Sequence, residues 1–154
     1  MFRELTLIEN LTVGTQQSGW RFFRRDVTTP DRDRALEVLS EFGLAGLADD
    51  RARELSYGQQ KLLEFATVLM GRPKLVLLDE PTAGVNPVMI DAMERRIRDL
   101  HSRGITFLIV EHEMNLVMRL CDPVIVLDHG TKLAEGTPAE VQRDPQVLDA
   151  YLGA

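Results

Sequence analysis

Leu75-Val76-Leu77-Leu78-Asp79-Glu80-Pro81 is the stretch on which the fold turns. Its apolar run is the pattern of a strand covered on both faces, as in a parallel sheet. Two carboxylates and a proline end it, and proline lacks the amide that would continue a ladder. In open α/β sheets the carboxyl ends of the strands border the ligand crevice. A carboxylate at that end, Asp79, can hold Mg²⁺ directly or through water. Its neighbour Glu80 alternates in direction and can orient or deprotonate a water beside a phosphate. The plainer alternative is an acidic pair that only caps a strand end.

Working outward, Ile105 to Val110 reads as a second buried strand and Val124 to Leu127 as a third. Between them lie a helix from Pro87 to Arg103, ended by Gly104, and a shorter one from Met114 to Leu120. Strand, helix, strand, helix, strand is the order of a parallel α/β unit with right-handed crossovers. Asp128-His129-Gly130 turns the third strand into a fourth, Thr131 to Ala134, as a hairpin. So few strands make the sheet incomplete unless a further segment pairs with it.

Upstream of residue 74 no strand is expected. Residues 5–13 form a short helix opened by a Thr6/Glu9 capping box. Residues 14–29, rich in Gly, Gln and Arg, read as loop or irregular helix. Thr29 caps a helix with Pro30 in its first turn, an apolar stripe from Ala35 to Phe42, and Gly43 as its stop. Ser56 caps the next helix, with Gln59 at the third position, and Gly71-Arg72-Pro73 ends it. Near the C-terminus, Thr137-Pro138-Ala139-Glu140 is a further capping box and Asp144-Pro145 starts a last helix.

The 154 residues, 44% apolar and 27% charged, are those of a globular protein with room for one core. A net charge of −6 argues against a nucleic-acid surface, which needs clustered Lys and Arg. The one basic cluster, Arg21, Arg24 and Arg25, reads as a solvated face. Cys121 is the sole cysteine, so no internal disulfide forms, and its apolar neighbours point to packing. No apolar run approaches the roughly 18 residues of a membrane span, and no signal-peptide pattern opens the chain. If the protein works at a membrane, other chains do the spanning.

Two further places carry chemistry. Ser56-Tyr57-Gly58-Gln59 opens a helix whose free amides and positive dipole end suit an anion. Ser56 adds a hydroxyl, and Gly58 permits close backbone approach. His112 follows the strand ending at Val110, as Glu80 follows its own, so in a parallel sheet both border one crevice. Taken alone, the first is a Ser-capped helix and the second a structural histidine. A G-x-x-x-x-G-K-[ST] phosphate loop is absent, since Lys61, Lys74 and Lys132 are the only lysines and none follows a glycine.

In that order, Ser56–Gly58, Asp79-Glu80, Ala83-Gly84-Val85-Asn86-Pro87 and His112 resemble the ATP-binding-cassette (ABC) ATPases, over essentially the whole chain. The resemblance implies an α/β fold, a partial P-loop NTPase (RecA-like) core with an α-helical subdomain on its N-terminal side. It places the helical subdomain in residues 1–60, the second part of the core in 61–135, and a short extension in 136–154. It implies that Asp79 is the Walker B carboxylate facing Mg²⁺, Glu80 the catalytic base and His112 the switch histidine. Ala83, Gly84, Val85 and Asn86 match the D-loop. Ser56, Tyr57, Gly58 and Gln59 match the signature motif, which touches the γ-phosphate of ATP bound on the opposite subunit.

Residues 2–10, the Thr-Ala-Gly-Val-Asn-Pro stretch at 82–87 and the tail from Gly136 to Gly153 are similar to importers of the branched-chain amino acid type. The implied partners are a second ABC ATPase subunit, identical or homologous, integral-membrane permease subunits, and indirectly a periplasmic or extracellular solute-binding protein. The implied cofactors are ATP and Mg²⁺, the implied place is the cytoplasmic face of the plasma membrane, and no nucleic acid is implied. Tyr57 stands where glycine is commoner in the signature, and Asn86 where aspartate is commoner in the D-loop; both suit this subfamily. The adenine-stacking aromatic, the Walker A loop and the Q-loop glutamine have no counterpart. The chain is therefore expected to derive from a truncated gene or a misplaced start codon, and to lack ATPase activity by itself. Two alternatives stay open: a non-catalytic remnant that docks on a partner subunit, and the head of a DNA-maintenance ATPase, against which the lack of heptads before residue 55 argues.

Overall fold

The computed structural model describes residues 1–13 and 27–152. Most of the expected 14–29 loop, with Arg21, Arg24 and Arg25, and the end of the tail at Gly153 lie outside the described residues. The backbone divides into two units, residues 1–77 with 82–108 and residues 78–81 with 109–154.

The first unit is built on helices, as the sequence leads one to expect. α1 (Leu7–Val13) opens with the capping box: the Thr6 amide donates to Glu9 Oε2 at 2.8 Å and the Glu9 amide to Thr6 Oγ at 3.2 Å. The start of the chain is stitched to residues 48–53, with the Leu7 amide bonded to Asp50 O (3.1 Å) and the Ala52 amide to Leu5 O (3.0 Å). Buried Asn10 is satisfied there, accepting from the Phe2 amide at 2.7 Å and donating to the carbonyls of Phe2 and Thr6 at 2.9 Å. These bonds anchor the approach to Ser56.

α2 (Thr29–Glu41) is capped by Thr28, one residue before the expected Thr29. Thr28 Oγ accepts from the Asp31 amide and donates to the Asp31 carboxylate, and Pro30 fits either assignment because all first-turn amides lack intrahelical acceptors. Gly43, at φ +69°, ends the helix with Leu44 N–H bonded to Leu39 O at 2.8 Å, the double-bonded stop that favours glycine. α3 (Tyr57–Leu69) packs against α1 and α2. Leu7, Leu11, Leu39 and Leu63 are fully buried among them, each contributing about 1.5–3 kcal/mol of burial. Phe42, Phe65 and Phe107 stack edge to face at 5.3 and 6.2 Å. Glu41 ties α2 to α4 (Pro87–Ser102) through Arg96 (3.3 Å) and Arg103 (3.2 Å).

β1 (Leu75–Asp79) and β2 (Thr106–Val110) form a two-stranded sheet. The Thr106 amide bonds to Lys74 O at one end and the Glu80 amide to Val110 O at the other, both at 2.9 Å, so the strands run parallel. Neither strand is covered on both faces, contrary to the sequence reading. Val76 is buried, whereas Leu75, Leu77, Leu108 and Val110 stay between 53% and 67% exposed. A continuous apolar run records the cover a strand is written for, and among the described residues only one face has it.

The second unit holds α5 (Met114–Leu120), β3 (Val124–Asp128), β4 (Thr131–Gly136), α6 (Pro138–Val141) and α7 (Pro145–Leu152). Val124, Val126, Val141 and Val147 make its core, with half-buried Cys121 packed on it as expected, and burial pushes that thiol's pKa up. The expected hairpin is present, with Asp128 opposite Thr131. His129 (φ 44°) and Gly130 (φ 79°) supply the two positive φ values that a two-residue hairpin turn needs. The reading of β3 as a third parallel strand is corrected: among the described residues its sheet contains β4 alone. So tight a turn brings β4 to β3 at little loop entropy, and an apolar run needs no parallel neighbour to become a strand.

Candidate functional site

Two groups of the sequence-selected residues come together, one in each unit. In the second unit, the Glu80 amide continues the ladder one step past Asp79, bonding to Val110 O. The backbone then turns sharply, with Glu80 at φ 44° in the left-handed region. A non-glycine residue there carries about 1–2 kcal/mol of strain, which concentrates at functional sites. The turn brings Glu80 Oε1 to 3.6 Å from His112 Nδ1, with both side chains more than half exposed. That separation leaves a carboxylate and an imidazole facing one solvent-accessible spot without a direct hydrogen bond.

A residue the sequence reading missed supports this pair. The Glu111 side chain is fully buried, and its Oε2 accepts from the His112 amide (3.0 Å) and the Glu113 amide (3.4 Å). The same oxygen lies 3.7 Å from His112 Nδ1. Glu111 therefore shapes the turn that carries His112. Only its place beside His112 could have signalled this, because an acid after a strand is ordinarily solvated.

Asp79 is exposed at the end of β1. Among the described residues no cluster of three or more His, Cys, Asp or Glu could hold a metal. A lone strand-end carboxylate fits Mg²⁺ that takes most of its ligands from phosphates and water, the usual coordination of that ion, and does not fit a protein-caged metal.

In the first unit, Ser56 and Gln59 form a reciprocal capping box. The Gln59 amide donates to Ser56 Oγ at 3.3 Å and the Ser56 amide to Gln59 Oε1 at 2.9 Å. Ser56 still has its hydroxyl proton to donate, and the amides of Tyr57 and Gly58 open the helix with no intrahelical acceptor. A Cβ on Gly58 would lie 3.0 Å from the Met89 side chain, so glycine lets α3 begin against α4. The turn at 82–85 closes through Val85 N–H to Thr82 O at 3.0 Å, with Gly84 at φ +70°. Asn86 caps α4, its Oδ1 accepting from the Met89 amide at 3.0 Å. Tyr57 joins the two turns, its hydroxyl donating to Ala83 O at 3.3 Å. Two pockets of about 340 and 250 Å³ lie elsewhere in this unit, and none of the sequence-selected residues lines them.

A family profile described as ABC transporter matches residues 1–83, the span holding the Ser56–Gln59 turn and Asp79-Glu80. The chain belongs to the ABC transporter family. A second profile, described as branched-chain amino acid ATP-binding cassette transporter, matches residues 131–154. The LivG protein of Escherichia coli K12, a high-affinity branched-chain amino acid transport ATP-binding protein, is 39% identical over 99% of this chain. BraF of Pseudomonas aeruginosa, of the same description, is 38% identical over the same share. The chain spans 64% of the length of each. The ADP conformation of MJ1267, an ATP-binding cassette of an ABC transporter, superimposes with a TM-score of 0.85 at 34% identity, over 99% of this chain and 64% of that one. The fold is thus a partial P-loop NTPase α/β core with its helical part, as the motifs led us to expect. Among the described residues no helix is long and apolar enough to cross a membrane.

Proposed function

We propose that these residues supply the signature, Walker B, D-loop and switch parts of an ATP-hydrolysing importer subunit for branched-chain amino acids. The observation that carries the reading is Glu80 turned out of β1 to stand 3.6 Å from His112 at the ends of two parallel strands. Glu80 accepts a proton from, or orients, a water held between it and His112. His112 donates a hydrogen bond to the terminal phosphate and keeps the water in line with it. Asp79 would hold Mg²⁺ through its carboxylate, and the ion, bound with ATP, would supply charge stabilisation at the phosphate oxygens. The Ser56 hydroxyl and the first amides of α3 face the γ-phosphate of a nucleotide held by a second ATPase subunit. On this reading the working unit is a dimer with its nucleotides between the subunits.

The solute assignment is supported by the names of the relatives and by the 131–154 match. It implies permease partners and a position at the cytoplasmic face of the membrane. The test is a fusion placing the N-terminal part of the Escherichia coli relative ahead of Met1, with the 154-residue chain as control. The fusion should hydrolyse ATP and the chain alone should not. Glu80→Gln in the fusion should cut turnover by about 10²–10⁴-fold with ATP binding kept. A Glu80→Gln fusion that hydrolyses ATP at the parent rate would overturn the assignment.

A further inference from the structure

Tyr57 does more than occupy a signature position. Its hydroxyl reaches the carbonyl of Ala83, and its ring lies over Gly84, where an added Cβ would stand 3.3 Å from the ring edge. Gly84 is doubly constrained, by φ +70° and by this ring. Lys61 Nζ, one turn along α3, lies 5.8 Å from the ring centroid and holds its face by cation–π attraction. Beside it, Gly58 seats α3 on Met89, whose amide is bound by the Asn86 cap. The starts of α3 and α4 and the turn between β1 and α4 therefore meet around one aromatic side chain that is itself half exposed.

We propose that Tyr57 is a positioning residue that locks the Ser56–Gln59 turn to the 82–86 turn, so that the two move as one piece when the subunit closes on nucleotide. A glycine at 57 would leave the turns to move separately; the ring and hydroxyl couple them mechanically. The hydroxyl fixes the turn through its backbone, and the ring crowds any side chain at position 84, where an added Cβ would stand 3.3 Å from its edge. The kinetic half of this role presupposes the ATPase reading above, whereas the mechanical half does not.

The experiment therefore has two arms. In the 154-residue chain, hydrogen–deuterium exchange of the Val85 amide, bonded to Thr82 O, is compared between the parent, Tyr57→Phe and Tyr57→Ala. Losing one hydrogen bond should speed Val85 exchange about two- to tenfold in Tyr57→Phe, and more in Tyr57→Ala, with α1 amides unchanged. In the fusion cassette, Tyr57→Phe should lower kcat about three- to tenfold with KM for ATP within twofold, because Ser56 and the helix amides remain. Unchanged Val85 exchange in both variants overturns the coupling whatever the kinetics show. Faster exchange with unchanged kcat reduces Tyr57 to a structural contact and overturns the positioning role. An inactive parent fusion defeats the ATPase reading and the kinetic role with it, and the exchange arm still decides the coupling.

Discussion

Ser56 is assigned two tasks, capping α3 and facing a phosphate, and one set of substitutions separates them. Its Oγ accepts from the Gln59 amide at 3.3 Å, a long bond at an exposed position, while the Ser56 amide keeps its bond to Gln59 Oε1 at 2.9 Å whatever side chain stands there. Ser56→Ala thus removes half of the capping box. The loss should be about 1 kcal/mol, within the ordinary range for an N-cap. For a chain of this size that lowers the melting temperature by about 2–4 °C. Ser56→Asp is the informative partner. Aspartate caps as well as serine, so the 154-residue chain should melt as the parent does. In the fusion cassette, however, its carboxylate would stand where a phosphate is expected and should abolish turnover. Far-UV circular dichroism on heating, with ATPase rates of the fusions, reads both effects. If Ser56→Asp melts as low as Ser56→Ala, the hydroxyl is not acting as a cap, and the reasoning from the capping geometry is wrong.

Three further outcomes follow from particular residues. Glu80→Gly should raise stability by about 1 kcal/mol in a urea titration while abolishing turnover in the fusion, because glycine relieves the left-handed backbone at φ 44°; a fall in the urea midpoint would show that no strain is held there. Leu77→Lys with Leu108→Lys should raise solubility and cut binding of a hydrophobic dye with little change in melting, since both side chains are more than half exposed on the β1–β2 sheet; unchanged dye binding would place the apolar patch elsewhere. Glu140 accepts hydrogen bonds from the Thr137 amide and hydroxyl, both at 2.8 Å, which hold its pKa below the usual carboxylate range. A depressed folded-state pKa contributes stability above the unfolded value of about 4.3 and loses it as pH falls through the folded value. The melting difference between the parent and Glu140→Gln should therefore be present at pH 7 and vanish in acid, and a difference that grows in acid would contradict the sign.

What was legible in the sequence is what is encoded locally. The Thr6/Glu9, Ser56/Gln59 and Thr137/Glu140 boxes form as written, because each needs only residues three apart. The Asp128-His129-Gly130 hairpin and the ends of β1 and β2 are equally local. Partner choice is not local: the run at 124–127 specifies a strand, and only the tight turn after it decides that β4 is its neighbour. Cover is not local either, so Leu75 and Leu77 read as buried although one sheet face among the described residues lies open.

The candidate site shows the same division at a finer scale. Periodicity places Glu80 just beyond a strand, where alternation alone would aim its side chain opposite to that of Asp79. Its left-handed backbone instead turns it toward His112, and the buried carboxylate of Glu111 shapes the turn from which His112 projects. Neither feature has a local motif: the first is a backbone conformation that glycine would adopt more readily, and the second is a burial set by tertiary packing. Glutamate at such a φ runs against local preference, and strain of this kind concentrates at functional sites. The residues that break a local rule, Glu80 at its backbone and Glu111 by its burial, are thus those that bring a carboxylate and an imidazole to one point. A general base and its orienting partner, the roles proposed for Glu80 and His112, would need that approach, and no spacing rule supplies it.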